Sequence, residues 1–209
     1  MKREYVALPW MGAAFGVAVV LAATIVARAG ADAGSIAEAL RLTARWSFLL
    51  FWMAYAGGAM AVLFGPVFAP LARRGREFGL AFASAHLVHI GLVVWLYRIL
   101  HHAPLTGALL VFFMAGIFWT YLLAALSFGR LKEALGPVGW RVVRIAGMNY
   151  ILVAFAYDFV LSVVHSGILH QGTRYLVEYV PFAAMCVCGP VLCLAAAARR
   201  HLGMRHAPA

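Results

Sequence analysis

The stretch FGLAFASAHLVHIGLVVWLYRI, residues 78–99, carries no full charge until Arg98, and its reading decides the fold class. A bilayer core about 30 Å thick is crossed by about 20 apolar residues, because a helix rises about 1.5 Å per residue. Hydrocarbon offers the backbone no hydrogen bonds, so such a stretch must satisfy itself as a helix. Five further stretches read the same way. Spans are expected near 9–28, 46–70, 78–99, 106–127, 142–167 and 177–197. They use most of the 209 residues. Residues 1–209 are therefore read as one all-α domain, a polytopic membrane helix bundle with six transmembrane helices.

Composition agrees. The chain is 65% hydrophobic and 11% charged, with mean hydropathy +0.91. A soluble chain of this make-up would lack the polar surface to cover itself. Lys2 and Arg3 precede the first span, as in a signal peptide. Its apolar run is longer than a typical signal core, so it is read as a retained helix starting at Pro9. The second span is interrupted by Gly57-Gly58 and Gly65-Pro66. Neighbouring helices can re-satisfy the backbone at such breaks.

Lys and Arg near helix ends set direction. One side carries Lys2, Arg3, Arg73, Arg74, Arg76, Arg130, Lys132, Arg141, Arg144, Arg199, Arg200 and Arg205. The other carries Arg28, Arg41, Arg45, Arg98 and Arg174. The alternation predicts both termini in the cytoplasm. It also accounts for most of the formal charge of +10, as topology determinants and contacts for the anionic headgroups of the lipid bilayer. Nucleic acid is not an expected partner. The longest outer connection, 29–45, holds Ser35-Ile-Ala-Glu38. That pattern reads as a capping box with Ser35 as N-cap, opening a short interfacial helix over 36–44.

Polar side chains inside spans are where function is sought first. The third span carries His86 and His89 and ends in His101-His102; the fifth carries Asn149, Tyr157, Asp158 and His165, with His170 beyond. His89 lies about 16 Å from Phe78 along a helix, near mid-membrane, and His101 and His102 about 18–20 Å further out. Tyr157 and Asp158 fall in the upper middle of the fifth span, and His165 comes near the level of His101 and His102. Two polar layers can thus face each other between the third and fifth helices, where helix bundles place haem and metal sites. Neutral imidazole is the usual axial ligand of b-type haem. The plainer reading is that His86 and His89 hydrogen-bond across a helix interface. Asp158 can orient a histidine through its second ring nitrogen or pair with a basic group. Cys186, Cys188 and Cys193 all lie in the last span, with no C-x-x-C spacing, and read as small packing residues. No phosphate loop, dinucleotide fingerprint or nucleophile elbow is present.

Arg73-Arg74-x-Arg76-x-Phe78-Gly79-Leu80 leads into a helix with His89 ten residues after the glycine. This resembles the ferric reductase-like transmembrane domain, in particular its compact bacterial haem-b membrane subunits. Gly139-Trp140-Arg141-Val142-Val143-Arg144 is similar to that family's entry to the fifth helix. The resemblance covers roughly 45–165, and the helix count and inward termini match. The family's fifth-helix histidines fall here on Arg144 and Tyr157, which is a departure from its pattern.

The resemblance implies haem b between the third and fifth helices and electron transport across the bacterial inner membrane to an external acceptor. It implies His89 as first axial ligand, with His102 or His101 meeting His165 at an outer site and Asp158, Tyr157 and His86 nearby. The haem iron ligands expected are His89 and His165. The chain would be an oxidoreductase subunit, with a separate reductase or periplasmic partner. The alternative is a haem-free scaffold of the same fold, in which Asp158, Tyr157 and His89 form an internal hydrogen-bond network.

Overall fold

A computed structural model describes residues 6–101, 105–128, 131–168 and 173–205, with the side chains of 131, 165–168, 173–176 and 203–205 left aside. The described residues are all-α. Six helices are long and apolar enough to cross a membrane. The chain is a multi-pass membrane protein. In order the helices are α1 (Ala7–Ala29), α2 (Ala33–Phe64), a 3-10 turn (Pro66–Phe68), α3 (Ala69–Arg73), α4 (Gly75–Leu100), α5 (Gly107–Ser127), α6 (Leu131–Ala134), α7 (Gly136–Ile168) and α8 (Thr173–Arg205).

The expected spans each find a long helix, but two boundaries move. Nothing interrupts 36–56 except small residues late in the run, so no interfacial helix separates from the second span: α2 is continuous from Ala33. Its cap is Asp32, not Ser35. The Asp32 carboxylate accepts the Ser35 N–H at 2.8 Å, and the Asp32 carbonyl takes the first helical bond from Ile36 N–H at 3.0 Å. Ser35 instead donates its hydroxyl to the Ala29 carbonyl at 3.3 Å. At the other end α2 stops at Phe64 and not near 70. Gly65 takes φ 89°, a left-handed conformation that glycine adopts without a Cβ clash, and Pro66 then opens a tight turn.

The molecule divides into two compact units. The first comprises 1–51 and 76–150: α1, the opening half of α2, α4, α5 and the opening half of α7. Alanines make its seam. Ala7, Ala14, Ala18 and Ala22 form the buried stripe of α1, a spacing that keeps one helix face inward. Small side chains there let polar groups of neighbours reach backbone carbonyls: Trp46 Nε1 donates to Ala14 O at 3.0 Å, and Ser84 Oγ to Met11 O at 3.1 Å. On α5 the buried stripe is Gly116, Thr120 and Leu123. Tyr121 donates to Ala83 O of α4 at 3.3 Å, and Tyr150 of α7 to Phe112 O of α5 at 3.0 Å. Arg76 donates through Nε and Nη2 to Ser127 O at 3.1 and 3.0 Å, a cation on the carbonyl end of α5.

The second unit comprises 52–75 and 151–209. Trp52 Nε1 donates to Met185 O of α8 at 2.9 Å. Arg199 Nη1 reaches the last carbonyls of α2, Val62 O at 3.0 Å and Leu63 O at 2.8 Å. Phe159 of α7 stacks with Phe155 and packs against Phe182 and Tyr179 of α8. Pro181 and Pro190 lie inside α8, as membrane helices tolerate.

Candidate functional site

The site grows from the antiparallel seam of α2 and α4 in the first unit. Phe51 packs edge-on against Phe82, centroids 5.4 Å apart, and two turns along the seam Thr43 meets His89. Thr43 is fully buried. Its hydroxyl donates its one proton back along its own helix, to Ala39 O at 2.9 Å or Leu40 O at 3.1 Å. The oxygen then remains an acceptor, 3.3 Å from His89 Nδ1. The Leu40 carbonyl also lies within hydrogen-bonding reach of the His89 ring, and a carbonyl can only accept. The Thr43 oxygen therefore favours a proton on Nδ1. In a neutral ring that leaves Nε2 with the lone pair.

His86 stacks on His89 with centroids 5.2 Å apart and planes 12° from parallel, and Phe82 lies 5.5 Å beyond His86. Ring lone pairs lie in the ring plane. Two stacked parallel rings cannot both aim a nitrogen at one iron between them. The pair thus offers one axial ligand, His89, with His86 as its packing neighbour. A haem iron asks for one or two such ligands, so His89 fits the role singly. Toward the start of α2 from His89, Ile36, Ala39, Leu92 and Ala22 form a buried apolar cluster, with Leu40, Val88 and Leu96 packed on it.

The other expected site residues are placed as follows. His101 is exposed, ends α4 at φ 56°, and donates its N–H to Tyr97 O at 3.0 Å. His102 and His170 lie outside the described residues. His165 lies on α7, its side chain outside the described part. Tyr157 and Asp158 belong to the second unit and are exposed there, Tyr157 at 41%. Asp158 is within electrostatic reach of the Cys186 thiol. Arg144 is exposed. Among the described residues, no three His, Cys, Asp or Glu side chains converge as a metal site.

Thr43 is the site residue that sequence reasoning missed, because 29–45 reads as an outer connection with a short interfacial helix over 36–44, outside the spans. The available signal was spacing: Ile36, Leu40, Thr43, Ser47 and Phe51 continue one helical face without a breaker. The same continuity moves two charges. Trp46 bonds to Ala14, the eighth residue of the 23-residue α1, so Arg45 stands inside the span and Arg41 one turn nearer the start of α2. Arg45 is about 200° around α2 from Thr43, on the far face from His89. Both arginines make interactions of their own.

No protein-family model, curated protein or solved structure matches the chain.

Proposed function

We propose that the chain is a ferric reductase-like electron-transfer protein of the bacterial inner membrane, holding b-type haem with His89 as first axial ligand. One observation carries the reading. A partly buried ring inside a span has its Nδ1 held by the Thr43 hydroxyl oxygen, leaving Nε2 to ligate. Hydrogen-bonding the distal nitrogen of a ligating histidine fixes its tautomer and raises its basicity. When bound, the haem would supply the one-electron chemistry. The residues of the chain orient the ligand and keep water out. The electron donor would be a separate reductase or membrane partner, and the acceptor would lie outside, reached directly or through a periplasmic partner protein.

The test is a reduced-minus-oxidised spectrum of detergent-purified protein. A b-type α-band is expected, largely lost in His89→Ala. A colourless wild type overturns the proposal and favours a haem-free scaffold. The observation behind that second reading is the same tie: the Thr43 contact already satisfies one nitrogen of His89 without any ligand.

A further inference from the structure

Thr43 and Ser47 stand one turn apart on α2 and are both fully buried. Residues four apart share a helix face. Thr43 settles its hydroxyl on carbonyls of its own helix and on His89. Ser47 does not follow it. Its Oγ is shut off from solvent and has no hydrogen-bond partner among the described residues. In particular it does not turn back to the Thr43 carbonyl, the usual refuge of a serine in a membrane helix. Its surroundings on α2 are Phe48, Leu50 and Phe51, all buried.

The register of the seam shows what faces it. Thr43 meets His89, and Phe51 meets Phe82. Ser47 is midway between 43 and 51; the midpoint of 82 and 89 falls between Ala85 and His86. Ser47 and His86 therefore stand at one level of the α2–α4 seam. A hydroxyl sealed among phenylalanines is costly unless something bonds to it. We infer that this level of the seam binds a single water molecule, held by the Ser47 hydroxyl and a ring nitrogen of His86. A buried water needs two to four polar partners. Ser47 and His86 supply two, and the Thr43 carbonyl keeps a second lone pair beyond its ladder bond for a third. Water is the guest because the buried residues at this level of the seam, Phe48, Phe51, Phe82 and Ala85, carry no charge to balance an ion. The two helices are then tied twice in succession: directly at Thr43 and His89, and through water one turn along. The inference uses protein atoms alone and stands whether or not haem binds at His89.

Water-edited solid-state nuclear magnetic resonance of the full chain in lipid vesicles, with labelled histidine and serine, reads this site. Magnetisation is expected to pass from water to both Ser47 and the His86 ring. In Ser47→Ala the transfer to His86 is expected to be lost, with His89 signals unchanged. Absence of transfer to either residue in the wild type overturns the site, as does transfer to His86 that persists in Ser47→Ala. The wild-type arm decides even if the variant fails to fold.

Discussion

At His89 the decisive question is which nitrogen keeps its proton. Thr43 answers it with an acceptor at Nδ1. Thr43→Val keeps the shape and removes the hydroxyl. Loss of such a supporting hydrogen bond typically costs about 10–100-fold in affinity at a ligated histidine. Haem titration into the apo form should therefore show weakened binding in Thr43→Val, and near-complete loss in His89→Ala. His86→Ala should retain haem, because its stacked ring cannot share the iron. Equal affinity in wild type and Thr43→Val would show that the hydroxyl does not set the ligand. His86 and His89 were legible in the sequence as polar residues inside a span. Thr43 was not, since a threonine earns no notice until its helix is known to continue past it.

Among the elements, the start of α2 is the part that sequence patterns misplace. Ser35 and Glu38 fit the capping pattern, yet Asp32 sits three residues earlier and its carboxylate takes the Ser35 N–H. Local motifs cannot rank two adjacent candidates; the tight turn from Ala29 through Gly30 decides, by placing Asp32 at the helix mouth. The Ser35 N–H above all holds the Asp32 carboxyl below its ordinary 3.8. A lowered folded value means the cap is at full strength above the ordinary carboxylate range and is lost as pH falls through the lowered value. The Ser35 amide shift should be flat above about pH 5 and move below about pH 4. Asp32→Asn should keep the cap and abolish that transition, since asparagine caps without titrating. A transition that survives in Asp32→Asn would assign it elsewhere. The α5–α7 contact makes a second prediction. A Cβ at Gly147 would come within 2.8 Å of Trp119 Cε3 and 2.9 Å of Leu123 Cδ1. Gly147→Val should destabilise the protein by about 1–3 kcal/mol, the usual cost of overpacking. Thermal unfolding in detergent reads it, and an unchanged midpoint would mean α5 and α7 yield freely.

For the whole molecule, six spans were legible because composition and length alone force them, whereas the course of α2 through 33–45 depends on packing. That course sharpens the topology argument. Of the five basic residues assigned to the outer side, Arg41 and Arg45 lie within α2, and Trp46 places Arg45 well inside the span, near Ala14 of α1. Charges within a span do not vote on direction as loop charges do. Arg28, Arg98 and Arg174 remain assigned to the outer side against twelve assigned to the other, so the expected bias toward cytoplasmic termini grows. Reporter fusions at Ala209 and in the 71–77 segment should read cytoplasmic, and one beside Asp32 external. Moving two arginines into the 30–32 turn should weaken that preference without reversing it, because twelve still outweigh five. A fusion beside Asp32 that reads cytoplasmic would invert the molecule, put His101 on the inner face, and leave the proposed outer acceptor with no histidine near it.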